Sequence, residues 1–500
     1  MSIARMDLRS SRSRLIGRLA KPGVALQVLL LACGLNAFEP THARSAVWFA
    51  RAKATGDGTD ISTPIGSLAA LEAVTKPRDV IMLLPGEDPL DGGLALKQGQ
   101  TLVGIQVDRK PSITNSSVER NSGNGLVLAD DCQVIGVRIE RTKASGVLGV
   151  DVTGVSLIGV DMDDANQSAG LTTTEVGLLG PISHAGVLFI STQPGRRTEN
   201  RLLRCNINRA AGLGVGSFAL KGATSRLVVD HSRAEGGLPS SPLFDIGVMA
   251  FAEGKGSEAQ LELADAVVSG RMSQQGRNIL VFASADARAK ARIERTTSGE
   301  SGQDGVVGVA SSVPATVEIE IRDSTLEKAA QMNLEGSILN LPPSDPARAG
   351  ESLVSINVQG SVIRDVGFVD GFRGEAQNIW LAPSVIDKRP FAKGRYRLSL
   401  RNSIVEKALK TGIGVGNVGE DFGIAPDEGE YDVVLSENTI RNNGQSDVTI
   451  AASNALIDAR RNDWGVPTGL ADSRLVLLGN AKRSQLNASQ PLSRRLDQPR

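Results

Sequence analysis

Three stretches of this chain say nearly the same thing. "TLVGIQVDRK" begins at Thr101, "QVIGVRIERT" at Gln133 and "SLIGVDMDDA" at Ser156, 23 residues after the second. In each, a polar residue precedes two apolar ones, then comes glycine, then an alternation of apolar and polar positions. Alternation at period two is strand geometry with one face buried. A spacing of 23 is shorter than the roughly 30 residues of a strand–helix–strand unit. Antiparallel hairpin partners would not repeat in the same direction. A parallel strand repeat this short fits a solenoid whose coils stack on one another.

The alignment groups Val103, Ile135 and Ile158, then Gly104, Gly136 and Gly159, then Ile105, Val137 and Val160. Ile135, Val137 and Ile139 read as one step of an internal aliphatic ladder. The longer gap between Val103 and Ile135 is assigned to a loop in "DRKPSITNSSVERNSG". Looser copies follow as far as "VVLSENTIRNN", each a strand, a polar kink and a second strand. The kinks fall near Asn206, His231, Asp265, Thr296, Asp323, Gly360, Asn402 and Asn438. Asn, Asp and Gly tolerate the left-handed backbone that such a corner needs. The composition agrees: 55 glycines supply turns, without the G-X-Y period of collagen. The 55 basic and 55 acidic side chains cancel, so nothing favours the basic face that nucleic acid requires.

Residues 1–43 read as an export signal, with Arg5, Arg9, Arg12, Arg14, Arg18 and Lys21 before the apolar "VALQVLLLACGL", which is too short to span a bilayer comfortably. Two processing sites compete. "THA" ends at Ala43; "LLAC" resembles a bacterial lipobox, which would make Cys33 a lipid anchor. No other long apolar segment exists, so no transmembrane helix is expected in the mature chain. Residues 44–90 read as a cap: a "GDGT" turn, a short helix capped by Ser62 or Thr63 with Pro64 at its first position, and a strand in "DVIMLLPG". Residues 91–480 form the solenoid, and the polar residues 481–500 a disordered tail. Cys132 and Cys205 could pair in an oxidising compartment; their apolar strand contexts favour two separate buried thiols.

"NTIRNN" at Asn438–Asn443, "ARRNDWGVPTG" at Ala459–Gly469, and the run from "GDGT" to "LDGGLALKQGQTLVG" resemble segments of the right-handed parallel β-helix, pectin-lyase-like superfamily. The resemblance extends over about residues 47–480. It implies an all-β parallel solenoid with a small N-terminal cap helix. It does not imply one activity, because the fold carries several.

Stacked coils lie about 4.8 Å apart, so the alignment makes outward columns. Gln106, Arg138 and Asp161 form one; Asp108, Glu140 and Asp163 form the next, with Arg141 and Asp164 beside them. By resemblance to the family's lyases, Asp108, Glu140 and Asp163 are candidate calcium ligands, with Arg138 or Arg141 taking a proton beside a sugar carboxylate. The opposing reading is a solvated surface, in which Arg138–Asp161 and Arg141–Asp164 are cross-strand ion pairs worth a few tenths of a kcal/mol.

The family's other catalytic patterns are mostly missing. Asp130 and Asp131 resemble the paired aspartates of polygalacturonases, but no G-H-G or R-I-K accompanies them. His184 and His231 stand apart in the sequence and read as structural. Trp464 reads as core of the last coil. Trp380 and Tyr396 flank the loop "LAPSVIDKRPFAKGR" and are the candidate sugar-binding edge. These residues together favour a secreted or surface interaction protein without catalysis, touching polysaccharide or another cell-surface partner. The alternative is a calcium-assisted lyase on acidic polysaccharide.

Overall fold

A computed structural model describes residues 45–166, 184–237, 245–311, 314–339, 346–367, 376–384, 393–416 and 427–492. The export-signal and lipobox expectations lie outside these residues. Every strand pairing in them is parallel and joins one coil to the next. Three sheets result, of 15, 11 and 13 strands. The architecture is the right-handed parallel β-helix that the repeat implied.

The first sheet shows why the repeat recurs. Leu102, Val134, Leu157, Leu202, Val229, Leu263, Ile293, Ile321, Val358, Leu400 and Leu435 pair in unbroken register from coil to coil. All are buried, and full burial of such a side chain is worth about 2 kcal/mol. The ladder therefore runs through Val134, not Ile135, which is half-buried. The cause is the glycine between the two halves of the motif. Gly136 (φ 63°) and Gly159 (φ 58°) are left-handed corners. Strand Gln133–Ile135 belongs to the first sheet and Arg138–Glu140 to the second. The bend resets which face points inward, so Val134, Val137 and Ile139 are all fully buried.

Later coils turn the same corner without glycine. His231, Asp265, Asp323 and Asn402 are left-handed where a kink was expected, as is Gly360. At three others the corner sits one or two residues earlier, on Arg204, Arg295 and Glu437. From Asp323 onward, the buried side chain just after each corner accepts a backbone N–H of the coil before it. Thr296 N donates to Ser324 Oγ (3.1 Å), Ser324 N to Ser361 Oγ (3.2 Å), Ser361 N to Ser403 Oγ (3.2 Å), Ser403 N to Asn438 Oδ1 (3.0 Å) and Asn438 N to Asn462 Oδ1 (3.0 Å). The serine hydroxyls in turn donate across their own corners, as Ser361 Oγ does to Gln359 O at 2.9 Å. Buried N–H groups left unpaired would each cost about 1–3 kcal/mol, so this ladder makes corners of non-glycine residues tenable.

The ends differ in detail from expectation. The cap helix is Leu68–Val74, capped by Ser67 and burying Leu68 and Leu71; Ser62 and Thr63 lie in the preceding turn, bonded to Asp60 and Asp57. At the other end residues 481–492 are not a free tail. Leu486–Asn487 pairs with strand Ala455–Asp458, and Leu486 is buried. Trp464 is in the core as expected, and Cys132 and Cys205 are separate buried thiols. Among the described residues no helix is long and apolar enough to cross a membrane.

Candidate functional site

The expected three-carboxylate column does not form. Thr101–Gly104 pairs with the Gln133 strand, but the chain then leaves the coil, and Ser112–Ile113 takes the place beside Arg138 and Ile139. The loop begins after Gly104, ahead of the stretch assigned to it from Asp108, so Asp108 is exposed and off the column. Glu140 and Asp163 do stand side by side. They are bracketed by guanidinium groups. Arg138 Nη2 lies 2.9 Å from Asp163 Oδ2 and its Nε 3.4 Å from Glu140; Arg209 Nη2 lies 2.8 Å from Asp163 Oδ1; Arg141 Nη2 lies 3.5 Å from Glu140. Burial still holds the Asp163 carboxyl above its usual range, with Arg209 and Arg138 opposing. Asp161 pairs with Lys110 (2.7 Å) and Asp164 with Arg209 (2.8 Å). Arg138 and Arg141 are thus engaged by carboxylates.

Tyr396 is corrected as a binding-edge residue. Its alternation places it inside the first sheet, fully buried and stacked on Tyr431 with ring centroids 4.5 Å apart. Trp380 is half-buried in the third sheet, its Nε1 donating to Gly416 O at 3.2 Å. Asp130 is held by Arg196 at 3.0 Å, and Asp131 is a left-handed corner. His184 is buried and its pKa falls to about 4 because burial disfavours the charged ring. Asp230, His231 and Asp265 bring ligand atoms within 4.8 Å, but Arg295 engages both Asp265 oxygens at 2.9 Å.

A different cluster emerges on the outward face of the third sheet. Along its first coils that face is apolar: Leu188, Met249, Leu280 and Val307 form one column, and Phe218, Phe251 and Phe282 another, packed in a cluster separate from the main core. The columns then turn polar. Val307 is followed by Glu335 and Trp380 in register, and Ile246 by Arg277 and Asp304. Arg277 Nε lies 3.3 Å from Asp304 Oδ2. Glu335, three positions further along the next strand, accepts the Ser337 hydroxyl. Asp304 is fully buried and Glu335 is 7% exposed, whereas the Arg277 side chain is 22% exposed and opens the cluster to solvent. Burial, then the Glu335 charge, hold the Asp304 carboxyl well above the usual carboxylate range, with Arg277 opposing.

The sequence reading missed this pair. "DGVVGVAS" and "MNLEGSIL" are apolar strands apart from Asp304, Asn333, Glu335 and the serines. A single acid in each of two neighbouring apolar strands was the available signal.

No family model matches the chain, and no curated protein sequence does. Solved structures resemble it remotely. The periplasmic alginate epimerase AlgG is 11% identical, over 80% of this chain and 77% of that one, with a TM-score of 0.41. The A-module of the Azotobacter vinelandii mannuronan C-5 epimerase AlgE4 is 12% identical, over 87% and 98%, also at 0.41. The pectate lyase Pel9A is 10% identical, over 91% and 80%, at 0.26. The three all-parallel sheets, each inner strand paired with the coils before and after it, make the fold a parallel β-helix.

Proposed function

We propose that this chain is an exported, carbohydrate-directed β-helix protein with an acid–base site at Asp304 and Glu335. The observation that carries the reading is two buried acids on neighbouring strands of the third sheet, Asp304 with Arg277 Nε at 3.3 Å and Glu335 accepting the Ser337 hydroxyl, with Trp380 in register beyond Glu335. Asp304, held protonated, is the acid. Glu335, which accepts the Ser337 hydroxyl, is the base. A positioned acid or base contributes about 10²–10⁴-fold to a rate. Export rests on the basic and apolar pattern of residues 1–43. The calcium site at Glu140 and Asp163 is less favoured, because a cation there must displace Arg138 and Arg209.

The test is turnover of a polysaccharide panel by the wild type, Asp304→Asn and Glu335→Gln. Product that falls by about 10²-fold or more in both variants supports the site. Undiminished turnover in both removes it. A second reading, a non-catalytic interaction protein, is favoured by the first sheet's outward face. There Arg226 bridges Glu199 (2.8 Å) and Glu262 (2.9 Å), Lys290 meets Glu258 (3.0 Å), and a shallow polar depression of about 350 Å³ runs past Gln260, Glu318 and Ser355. Binding of a panel polymer without any turnover selects it.

A further inference from the structure

We infer that the outward face of the first sheet, towards its C-terminal end, pairs with the same face of a second copy of this chain. The inference is independent of the acid–base pair, which belongs to the third sheet. Four neighbouring coils carry it. Strand Arg395–Arg401 turns Arg395 and Arg397 outward, both exposed. On the next coil, strand Glu430–Ser436 turns Glu430 and Asp432 outward, also exposed and in register with those arginines. Among the described residues, Arg395, Arg397, Glu430 and Asp432 form no side-chain hydrogen bond and no ion pair. Earlier on the same face the charges do close: Arg226 on Glu199 and Glu262, and Lys290 on Glu258, at 2.8–3.0 Å. Beyond Asp432 in the same row stands Leu456, 71% exposed. Before Arg397 stands Ser355, at the edge of the shallow depression that runs past Gln260 and Glu318.

Over four coils the row runs Ser355, Arg397, Asp432, Leu456: a hollow, a cation, an anion and a knob. Reversed, it is its own complement. A two-fold axis along the strand direction, between the strands of Arg397 and Asp432, turns a second rod end for end and keeps each row opposite itself. Arg397 then meets the partner's Asp432, Arg395 meets the partner's Glu430, and the axis doubles both contacts. Leu456 enters the hollow at the partner's Ser355 and leaves water. An axis along the rod would instead set the arginine strand against itself. Exposed ion pairs are individually weak; four in one patch fix orientation and register. Three strands lie on each side of the axis, from Thr316–Arg322 to Leu486–Asn487. At about 4.8 Å per coil and about 3.3 Å per residue they cover about 29 Å by 20 Å. That is roughly 1,200 Å² over both copies, the lower end for a specific interface.

Sedimentation velocity of the full chain tests this. At about 0.01 M ionic strength, where charges act over about 30 Å, the wild type should dimerise between about 10 and 100 μM. Raising the salt to about 0.5 M should weaken the dimer at least about tenfold. Arg397→Asp or Asp432→Arg alone sets like charges across the axis and should weaken it at least about tenfold at low salt. The double variant carrying both changes restores opposite signs across the axis and should dimerise as the wild type does. A monomer at every concentration up to about 100 μM, or association that ignores both single reversals, overturns the inference. So does a double variant that stays as weak as the single ones. Both positions are exposed, and unchanged circular dichroism and melting temperature show that each variant folds.

Discussion

Asp304→Asn should make the protein more stable as pH rises. The amide copies the shape of the protonated acid and removes its ionisation. In the folded chain, burial and then Glu335 push the Asp304 pKa well above its usual value, against the pull of Arg277; in the unfolded chain it returns to about 3.9. The folded state therefore binds more protons than the unfolded state between those two values. Stability from this group is fully present below the unfolded pKa and is lost as pH rises towards the folded one. One proton sets the steepest slope, about 1.4 kcal/mol per pH unit. Arg277 at 3.3 Å moderates it. Urea midpoints at about pH 5, 6, 7 and 8, at constant m, should show the variant gaining on the wild type with each step. Parallel curves, or a variant that loses ground at high pH, would mean that Asp304 is an ordinary ionised partner of Arg277, and the acid role proposed for it would fall.

Acidification should reveal His184. Its pKa is lowered from 6.5 to about 4, so its contribution is present above the unfolded value and disappears as pH falls through the folded one, about 3 kcal/mol in all; thermal melts between about pH 4 and 7 should lose this slope in His184→Gln. Asn438→Ala removes bonds to Ser403 N, Leu400 O and Asn462 Oδ1 and should cost about 3 kcal/mol, against about 1–2 kcal/mol for Ser361→Ala, with hydrogen exchange at Ser403 accelerating only in the first. Calcium should leave the melting temperature of the wild type unchanged, because Arg138 and Arg209 hold Asp163; an Arg138→Ala, Arg209→Ala double variant should bind calcium measurably by titration calorimetry.

The architecture was legible because a stacked fold must repeat its inward residues, and three near-copies repeat them openly. Five corner residues, His231, Asp265, Asp323, Gly360 and Asn402, could be placed because left-handed backbone selects few side chains. Phase was harder. Two adjacent apolar residues, Val134 and Ile135, leave it open which one faces in, and only the corner at Gly136 decides. The column through Asp108 failed because a loop of unknown starting point lay inside the alignment. Tyr396 looked like an edge residue beside a long loop, yet strand alternation turned it into the core. The nearness of Asp304 and Glu335 was out of reach because they sit on neighbouring coils of unequal length, whose register pairs Asp304 with Met332 and Val307 with Glu335.

The polar ladder behind the corners has a direction. Each backbone N–H in it is satisfied by the coil that follows, so a coil's corner stays incomplete until the next has been laid down. Asn462 is the last acceptor in the series, and its own amide donates back to Leu435 O at 2.8 Å and Ala459 O at 2.7 Å. The rod thus carries a stop signal within its own covalent order. A chain cut after Ser403 would expose an unanswered donor, whereas one that reaches Asn462 closes its account. Assembly from the capped end towards Asn462, one coil templating the next, follows from that asymmetry.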